Sequence, residues 1–111
     1  MNKVPIDLAF LREFETQART PLGRFVAQVL ETDRKFIEQN FYFAWDPLAA
    51  VALVERSVVS TGAAAIEVRQ TPPEEGRTVE VKRGRRKVRV AWDADAAAFK
   101  RIFLHAFLPA G

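Results

Sequence analysis

The sequence has 111 residues, of which 49% are hydrophobic and 28% are charged. These values are typical of one globular domain and exclude a disordered or collagen-like chain. Cysteine is absent and histidine occurs once, which excludes a disulfide framework, a thiolate zinc site and a multi-histidine metal site in this sequence. No apolar run has the length of a membrane span or of a secretory signal, so we expect a cytoplasmic protein without membrane contact.

Two helices are predicted near the start of the sequence. Asp7 is a suitable N-cap for the first, and Thr20 followed by Pro21 marks the start of the second. Apolar residues recur at three- and four-residue spacing in both helices, and in the second they continue to Ile37. These apolar positions are Leu8, Leu11, Phe14, Leu22, Phe25, Val26, Val29, Leu30, Phe36 and Ile37. The second helix is therefore expected to run without a break as far as Ile37.

A third helix is predicted from Pro47 to about Arg56, with Asp46 as its N-cap. Residues 48–54 are almost all apolar, and a helix that is apolar on every side is expected to be buried on several sides. A chain of this length has little material with which to cover it.

After Ser57 the hydrophobic period changes from helical to alternating, which predicts strands. The alternating positions are Ile66 and Val68, then Val79 and Val81, then Val88, Val90 and Trp92. The last two runs predict an antiparallel hairpin. Asp93 or Asp95 is expected to cap a final helix through Phe107. The sequence therefore predicts an α/β fold of three helices, a strand plus a β-hairpin, and a C-terminal helix, in a single domain over residues 1–111.

The net charge is +3, and the positive charges are concentrated in one segment. Six of its eight residues are basic: Lys82, Arg83, Arg85, Arg86, Lys87 and Arg89. Such a segment is either a phosphate-binding patch or the solvated outer face of a hairpin. No aromatic residue lies within it to stack on bases, so the sequence favours the solvated face over a nucleic-acid site.

The pair Trp45 and Asp46 is the main candidate for chemistry. Asp46 fits a helix N-cap, but a carboxylate at a helix start is also a possible ligand for a hard cation. The tryptophan offers a flat face for a heterocycle. Asp93 and Asp95 lack the further acidic residues of a calcium loop, and His105 is expected at the edge of the last helix.

Five segments of the sequence carry a resemblance to a known enzyme family, and they occur in the family's order. They are Asn2-Lys3-Val4-Pro5, Arg19-Thr20-Pro21-Leu22, Phe41-Tyr42-Phe43-Ala44-Trp45-Asp46-Pro47-Leu48-Ala49-Ala50, Glu75-Gly76-Arg77-Thr78-Val79 and Val88-Arg89-Val90-Ala91 with Asp95 and Phe99. They resemble the C-terminal part of inosine/uridine-type nucleoside hydrolases, and they are most similar to the purine-preferring subgroup, which has a Trp-Asp pair at the place of Trp45 and Asp46. The resemblance implies the C-terminal part of a nucleoside-hydrolase-like open α/β fold.

The activity implied by the resemblance is hydrolysis of the N-glycosidic bond of purine ribonucleosides to ribose and free base. Asp46 would be a ligand of the family's catalytic Ca²⁺, Trp45 would stack on the departing base, and Tyr42 would contribute a hydroxyl from the loop over the nucleoside. No catalytic residue is assigned. The family's N-terminal aspartate cluster has no counterpart here, so the resemblance implies a partial domain that is inactive alone.

The interpretations given above imply different partners. The resemblance implies a nucleoside substrate, together with either the missing N-terminal half of the domain or a homo-oligomer. The alternatives to an enzyme are a small basic α/β module that binds nucleic acid, and an interaction protein that associates through exposed apolar helix faces.

Overall fold

The computed structural model describes residues 2–84 and 86–110, and it contains both helices and strands. The helices are α1 Leu8–Gln17, α2 Pro21–Thr32, α3 Arg34–Glu38, α4 Trp45–Val54 and α5 Ala96–His105, with a 3₁₀ turn at Arg56–Val58. The strands are β1 Val59–Ala64, β2 Ile66–Val68, β3 Thr78–Glu80 and β4 Val88–Ala94. The described chain forms two compact units, a helical unit of residues 2–59 and 93–110 and a β unit of residues 60–92.

Three helices start at the capping residues expected from the sequence. The side chain of Asp7 accepts a hydrogen bond from the backbone N–H of Phe10, at 2.9 Å. The side chain of Thr20 accepts a hydrogen bond from the backbone N–H of Gly23, at 3.0 Å. The side chain of Asp95 accepts one from the backbone N–H of Ala98, also at 3.0 Å. Each bond satisfies an N–H that has no partner within its own helix. The predictions for the starts of α1, α2 and α5 are confirmed.

The core of the helical unit is built around phenylalanines of α1 and α5. Phe14 is fully buried, and its ring lies 5.4 Å from that of Phe107 and 5.6 Å from that of Phe103, between centroids. Tilted and edge-on contacts of this kind add to the gain from apolar burial. The buried apolar residues of this core are Val4, Ile6, Phe10, Leu11, Phe14, Ala18, Leu30, Ile37, Ala44, Val51, Val58, Phe99 and Leu104.

The predicted second helix is interrupted at Asp33, so the expectation of an unbroken helix to Ile37 is wrong. The hydroxyl of Thr32 donates to the carbonyl of Val29, which is the acceptor that the N–H of Asp33 would use in a continuous α-helix. The N–H of Asp33 bonds instead to the carbonyl of Leu30, at 3.0 Å. The local bond of a threonine hydroxyl therefore competes with the helix and divides it into α2 and α3.

Helix α4 begins at Trp45, which corrects the prediction that Asp46 is its N-cap. Asp46 lies in the first turn, and the capping position is taken by Ala44 without a side-chain hydrogen bond. The expected burial of α4 on several sides is also wrong. It packs against α5 and the 3₁₀ turn, and Leu53 and Val54 remain 87% and 86% exposed. Contact along one side leaves the rest of this apolar helix in water.

In the β unit, β2 pairs with β3 in an antiparallel ladder with Glu67 opposite Val79. The connecting loop is closed by hydrogen bonds from the N–H groups of Arg69 to Arg77 and of Gly76 to Arg69, both 2.8 Å long. Gly76 has a φ of 82°, in the left-handed region that suits glycine.

The last strand, β4, pairs with β1, so the predicted hairpin between the last two strands is wrong. Alternation identifies which residues form strands, but it does not identify which strand is the partner. Strand β1 consists mostly of small residues and was absent from the predicted elements. None of the helices in the described chain is long and apolar enough to cross a membrane.

Candidate functional site

Residues 42–44 form a short extended segment that leads into α4, and this segment together with the first turn of α4 contains all three residues implicated by the sequence. The segment pairs with the N-terminal strand-like residues. The N–H of Ile6 donates to the carbonyl of Tyr42, at 3.0 Å, and the N–H of Ala44 donates to the carbonyl of Val4, at 2.9 Å. Because Val4 and Ile6 are buried, this pairing fixes the segment to the core of the helical unit.

The side chains of this segment and of the first turn of α4 differ in exposure. Tyr42 is half-buried and packs against the core, and Ala44 is buried. Trp45 is 53% exposed, and Asp46 is also exposed. The structure therefore places Trp45 and Asp46 at the surface, whereas Tyr42 lies against the interior.

The indole of Trp45 is held by two contacts. Its ring stacks on Phe43 with 5.9 Å between centroids and 25° between planes. Its Nε1–H donates to Oδ1 of Asn2, at 3.3 Å. A stacked neighbour and a hydrogen bond at the ring edge limit the rotation of the indole. More than half of the side chain stays accessible to a ligand in this fixed orientation.

The hydroxyl of Tyr42 lies near the carboxylate of Asp33 within the protein. Burial, followed by the negative charge of Asp33, raises the pKa of Tyr42. Use of this hydroxyl by a substrate would compete with its interaction with Asp33. The cavity beside Tyr42 and Pro47 has a volume of about 20 Å³, which is the size of a single water and not of a nucleoside.

Asp46 offers a carboxylate without a salt bridge to any residue that the structure describes. Calcium requires six to eight oxygen ligands. Among residues 2–84 and 86–110 there is no group of three or more His, Asp or Glu side chains able to hold a metal. The described residues therefore do not form a calcium site by themselves, and Asp46 provides one ligand at most through its side chain.

The remaining sequence candidates take structural roles. Asp95 caps α5, while Asp93 accepts from the N–H of Ala94 and lies 3.8 Å from Nζ of Lys3. His105 is the exposed last residue of α5. Sequence reasoning missed the contacts of Trp45 with Asn2 and Phe43. The alternation of residues 43 and 45 was an available signal for the second contact, but no local pattern predicts the first.

The basic segment is exposed throughout its described length. Lys82, Arg83, Arg86, Lys87 and Arg89 all lie at the surface of the β unit. Arg85, which was part of the predicted patch, lies outside the described residues. The guanidinium of Arg89 donates from Nη1 to Oγ1 of Thr61, at 2.9 Å. The hydrogen bond therefore holds the Arg89 guanidinium against the neighbouring strand β1.

No protein-family model matches this chain, and no curated protein matches it significantly. The function must therefore be argued from the chemistry and placement of these residues.

Proposed function

We propose that this chain is the C-terminal portion of a purine ribonucleoside hydrolase, an enzyme that hydrolyses the N-glycosidic bond to give ribose and free base. The observation that carries the proposal is the exposed pair of Trp45 and Asp46. The indole of Trp45 is held by Phe43 and Asn2. The carboxylate of Asp46 forms no salt bridge within the described residues. The finer fold, an open α/β nucleoside-hydrolase domain of which these helices and strands form the end, is part of the same proposal.

The proposed role of Trp45 is to stack on the purine. Phe43 supports the indole, so a planar base stacks on a surface that is already oriented. Stacking of one base on an aromatic side chain contributes about 1–3 kcal/mol in nucleic-acid complexes. Negative charge develops on the base as the glycosidic bond breaks, and the fixed ring keeps the base aligned while the bond lengthens.

The proposed role of Asp46 is to supply one oxygen ligand to a calcium ion whose other ligands come from a second, aspartate-rich segment. The resemblance to nucleoside hydrolases supports this role, together with the exposed position of the carboxylate in the first turn of α4. Because the described residues hold only this one ligand, no catalytic step is assigned to the chain alone.

The surface of α4 gives further support for a second segment. Leu53 and Val54 lie in the last turn of a helix that is apolar almost throughout, and both are almost fully exposed. Large apolar side chains placed together at a surface mark an interaction site more often than a scattered single residue does. We infer that the aspartate-rich segment packs on this end of α4.

The test of base binding uses the two tryptophans as separate probes. In the Trp92→Phe variant, Trp45 is the only tryptophan, and we expect saturable quenching of its fluorescence by hypoxanthine or adenine. In the Trp45→Phe variant, the remaining Trp92 lies in the β unit and should show no saturable quenching. Equal quenching in the two variants, or none in either, would contradict the proposed role of Trp45.

The test of activity is complementation. The chain is co-expressed with the aspartate-rich N-terminal half of a purine-preferring nucleoside hydrolase, and ribose release from inosine is measured with calcium. We expect release that falls by about 100-fold or more in the Asp46→Asn variant, as for the loss of a positioned metal ligand. A complex that forms, shown by co-purification, but releases no ribose would refute the enzymatic proposal.

A further inference from the structure

The basic segment of the β unit is not used by the proposed nucleoside site. We infer that Lys82, Arg83, Arg86, Lys87 and Arg89 bind the phosphodiester backbone of a nucleic acid, without reading its sequence. This binding function is independent of the proposed hydrolase. It rests on the exposure, the ion-pair status and the anchoring of these five cations.

The first observation is that these cations have no acidic neighbours in contact. In the part of the chain that the structure describes, none of the five takes part in a salt bridge. Other basic residues of the same unit do so, since Arg69 and Arg77 both pair with Glu74. Five exposed cations within eight residues produce a positive potential that attracts an anionic partner.

The second observation is that the segment is anchored to the strands. The backbone of Gly84 lies so close to buried Ala65 that a Cβ at position 84 would be 2.6 Å from the Ala65 Cβ. On the same side, the N–H of Val81 donates to the carbonyl of Ala65, at 2.9 Å. The cationic side chains therefore extend from a positioned backbone, which reduces the entropy lost on binding a polyanion.

The third observation concerns the spacing of two cations at the start of β4. Lys87 immediately precedes β4 and Arg89 is the second residue of the strand. Two residues of extended backbone span about 7 Å. That is the scale of the separation between successive phosphates along one strand of a nucleic acid. The bond from Arg89 to Thr61 uses one of five guanidinium N–H donors, and the others remain available for a phosphate oxygen.

The chemistry of the segment favours nucleic acid over an anionic membrane. Stable binding at a membrane surface combines electrostatic attraction with apolar side chains that insert beside the cations, or with a lipid anchor. Residues 82–87 contain no apolar side chain among those described, and exposed Val88 and Trp92 alternate onto the face opposite Arg89. The absence of aromatic residues among the cations predicts contact with the backbone and not with the bases.

The test measures binding of the full chain to fluorescent oligothymidylate and oligouridylate of about 20 nucleotides, longer than typical single-strand sites. We expect a dissociation constant on the order of 10⁻⁴–10⁻⁶ M at physiological salt. With about four phosphate contacts, the logarithm of the association constant should fall with the logarithm of salt concentration with a slope of about −3. Similar affinity for the two oligonucleotides would identify the shared phosphate backbone as the ligand.

Two triple variants with the same change in charge locate the site. Arg83→Gln, Arg86→Gln and Lys87→Gln together should reduce the slope to about −1 and weaken binding by at least 10-fold at low salt. The control variant, Arg12→Gln with Arg24→Gln and Lys35→Gln, changes exposed residues of the helical unit that form no salt bridge within the described chain. It should bind within about twofold of the unmodified chain.

A second measurement needs no variant. Acetylation of Lys82 and Lys87, followed by mass spectrometry, should slow in the presence of oligothymidylate, whereas acetylation of Lys35 should not. The inference is overturned if the oligonucleotides do not bind at low salt, or if the two triple variants lose affinity equally. It is also overturned if phosphatidylserine vesicles bind and the oligonucleotides do not, a result that would indicate a membrane ligand.

Discussion

The indole of Trp92 lies directly over Gly62, its neighbour on strand β1. A Cβ at position 62 would lie 2.1 Å from Cζ3 of Trp92, which is far inside van der Waals contact. The absence of a side chain at Gly62 therefore allows the ring to cross the β1–β4 ladder. This contact gives a physical reason for a glycine inside a strand, where it otherwise weakens the structure.

We expect the Gly62→Ala variant to displace Trp92 and to destabilise the chain by about 1–3 kcal/mol, the usual cost of overpacking. Unfolding by denaturant, followed by far-ultraviolet circular dichroism, measures the effect, and Trp92 fluorescence in a Trp45→Phe background reports the displacement of the ring. Ser60→Ala, at an exposed position of the same strand, is the matched control and should be neutral. If Trp92→Ala does not reduce the cost of Gly62→Ala in a double-mutant cycle, the contact is not its cause.

Thr20 connects two ends of the helical unit. Its hydroxyl accepts from the N–H of Gly23 at the start of α2 and donates to the carbonyl of Phe107 after α5, both at 3.0 Å. We expect Thr20→Val to lower the free energy of unfolding by about 1–2 kcal/mol, because a cap and a long-range bond are both lost. Thr20→Ser should retain most of the stability.

Thr32→Val is the comparison for Thr20, because the Thr32 hydroxyl bonds only to Val29 within its own helix and is exposed. Removal of that hydroxyl frees the Val29 carbonyl to accept from the N–H of Asp33. We therefore expect Thr32→Val to lower the free energy of unfolding little or not at all. Equal destabilisation by Thr20→Val and Thr32→Val, measured by thermal unfolding, would show that the bond to Phe107 contributes nothing.

The helix starts were predictable because each depends on a few adjacent residues. A cap such as Asp7 and its N–H partner are three residues apart, so the signal is local. The pairing of β4 with β1 depends on residues about 30 positions apart, and β1 lacks the large apolar residues that mark a strand. Alternation along the sequence was therefore enough to locate β4. The close approach of Trp92 to Gly62, which allows β4 to pair with β1, is a tertiary effect that local sequence does not show.

The candidate site shows the same division. Trp45 and Asp46 could be singled out because their residue types suit a base and a cation. The contact of Trp45 with Asn2 spans 43 positions and has no local signal. The role of Asp46 as a cap was predicted wrongly because α4 starts two residues earlier than predicted, so that the aspartate, two residues after the observed N-cap Ala44, favours the helix through its dipole without capping it.

Tyr42 is the only tyrosine, so the absorbance of its phenolate reports one group. Burial first, and Asp33 second, raise its pKa, so we expect it to titrate above an ordinary tyrosine. Asp33→Asn should lower the pKa of Tyr42 but leave it above the usual range, because burial remains. Asp93→Asn removes the same charge elsewhere in the helical unit and should leave the titration unchanged. A normal pKa in the unmodified chain would contradict this arrangement.

A carboxyl pair between α1 and α2 gives a prediction of pH dependence. A hydrogen bond to Glu31, then partial burial and the charge of Glu31, raise the pKa of Glu15. Hydrogen bonds from Arg34 and then Glu15 lower the pKa of Glu31. As the pH falls, Glu15 is therefore expected to take up a proton before Glu31, whose carboxylate is bound to Arg34.

The sign of the effect follows from the raised pKa. The contribution of Glu15 to stability is fully present below the pKa of an unfolded glutamate, about 4.3, and is lost as the pH rises through its higher folded value. Glu15→Gln replaces the acidic proton by an amide N–H that stays at every pH. We expect this variant to have a higher Tm than the unmodified chain at pH 7, and an equal Tm near pH 4.

Glu13→Gln removes the same charge from α1 and should not reproduce this pH dependence, since Glu13 bonds to Gln17 in its own helix. A difference in Tm between Glu15→Gln and the unmodified chain that is constant from pH 4 to pH 7 would show that no proton is shared with Glu31.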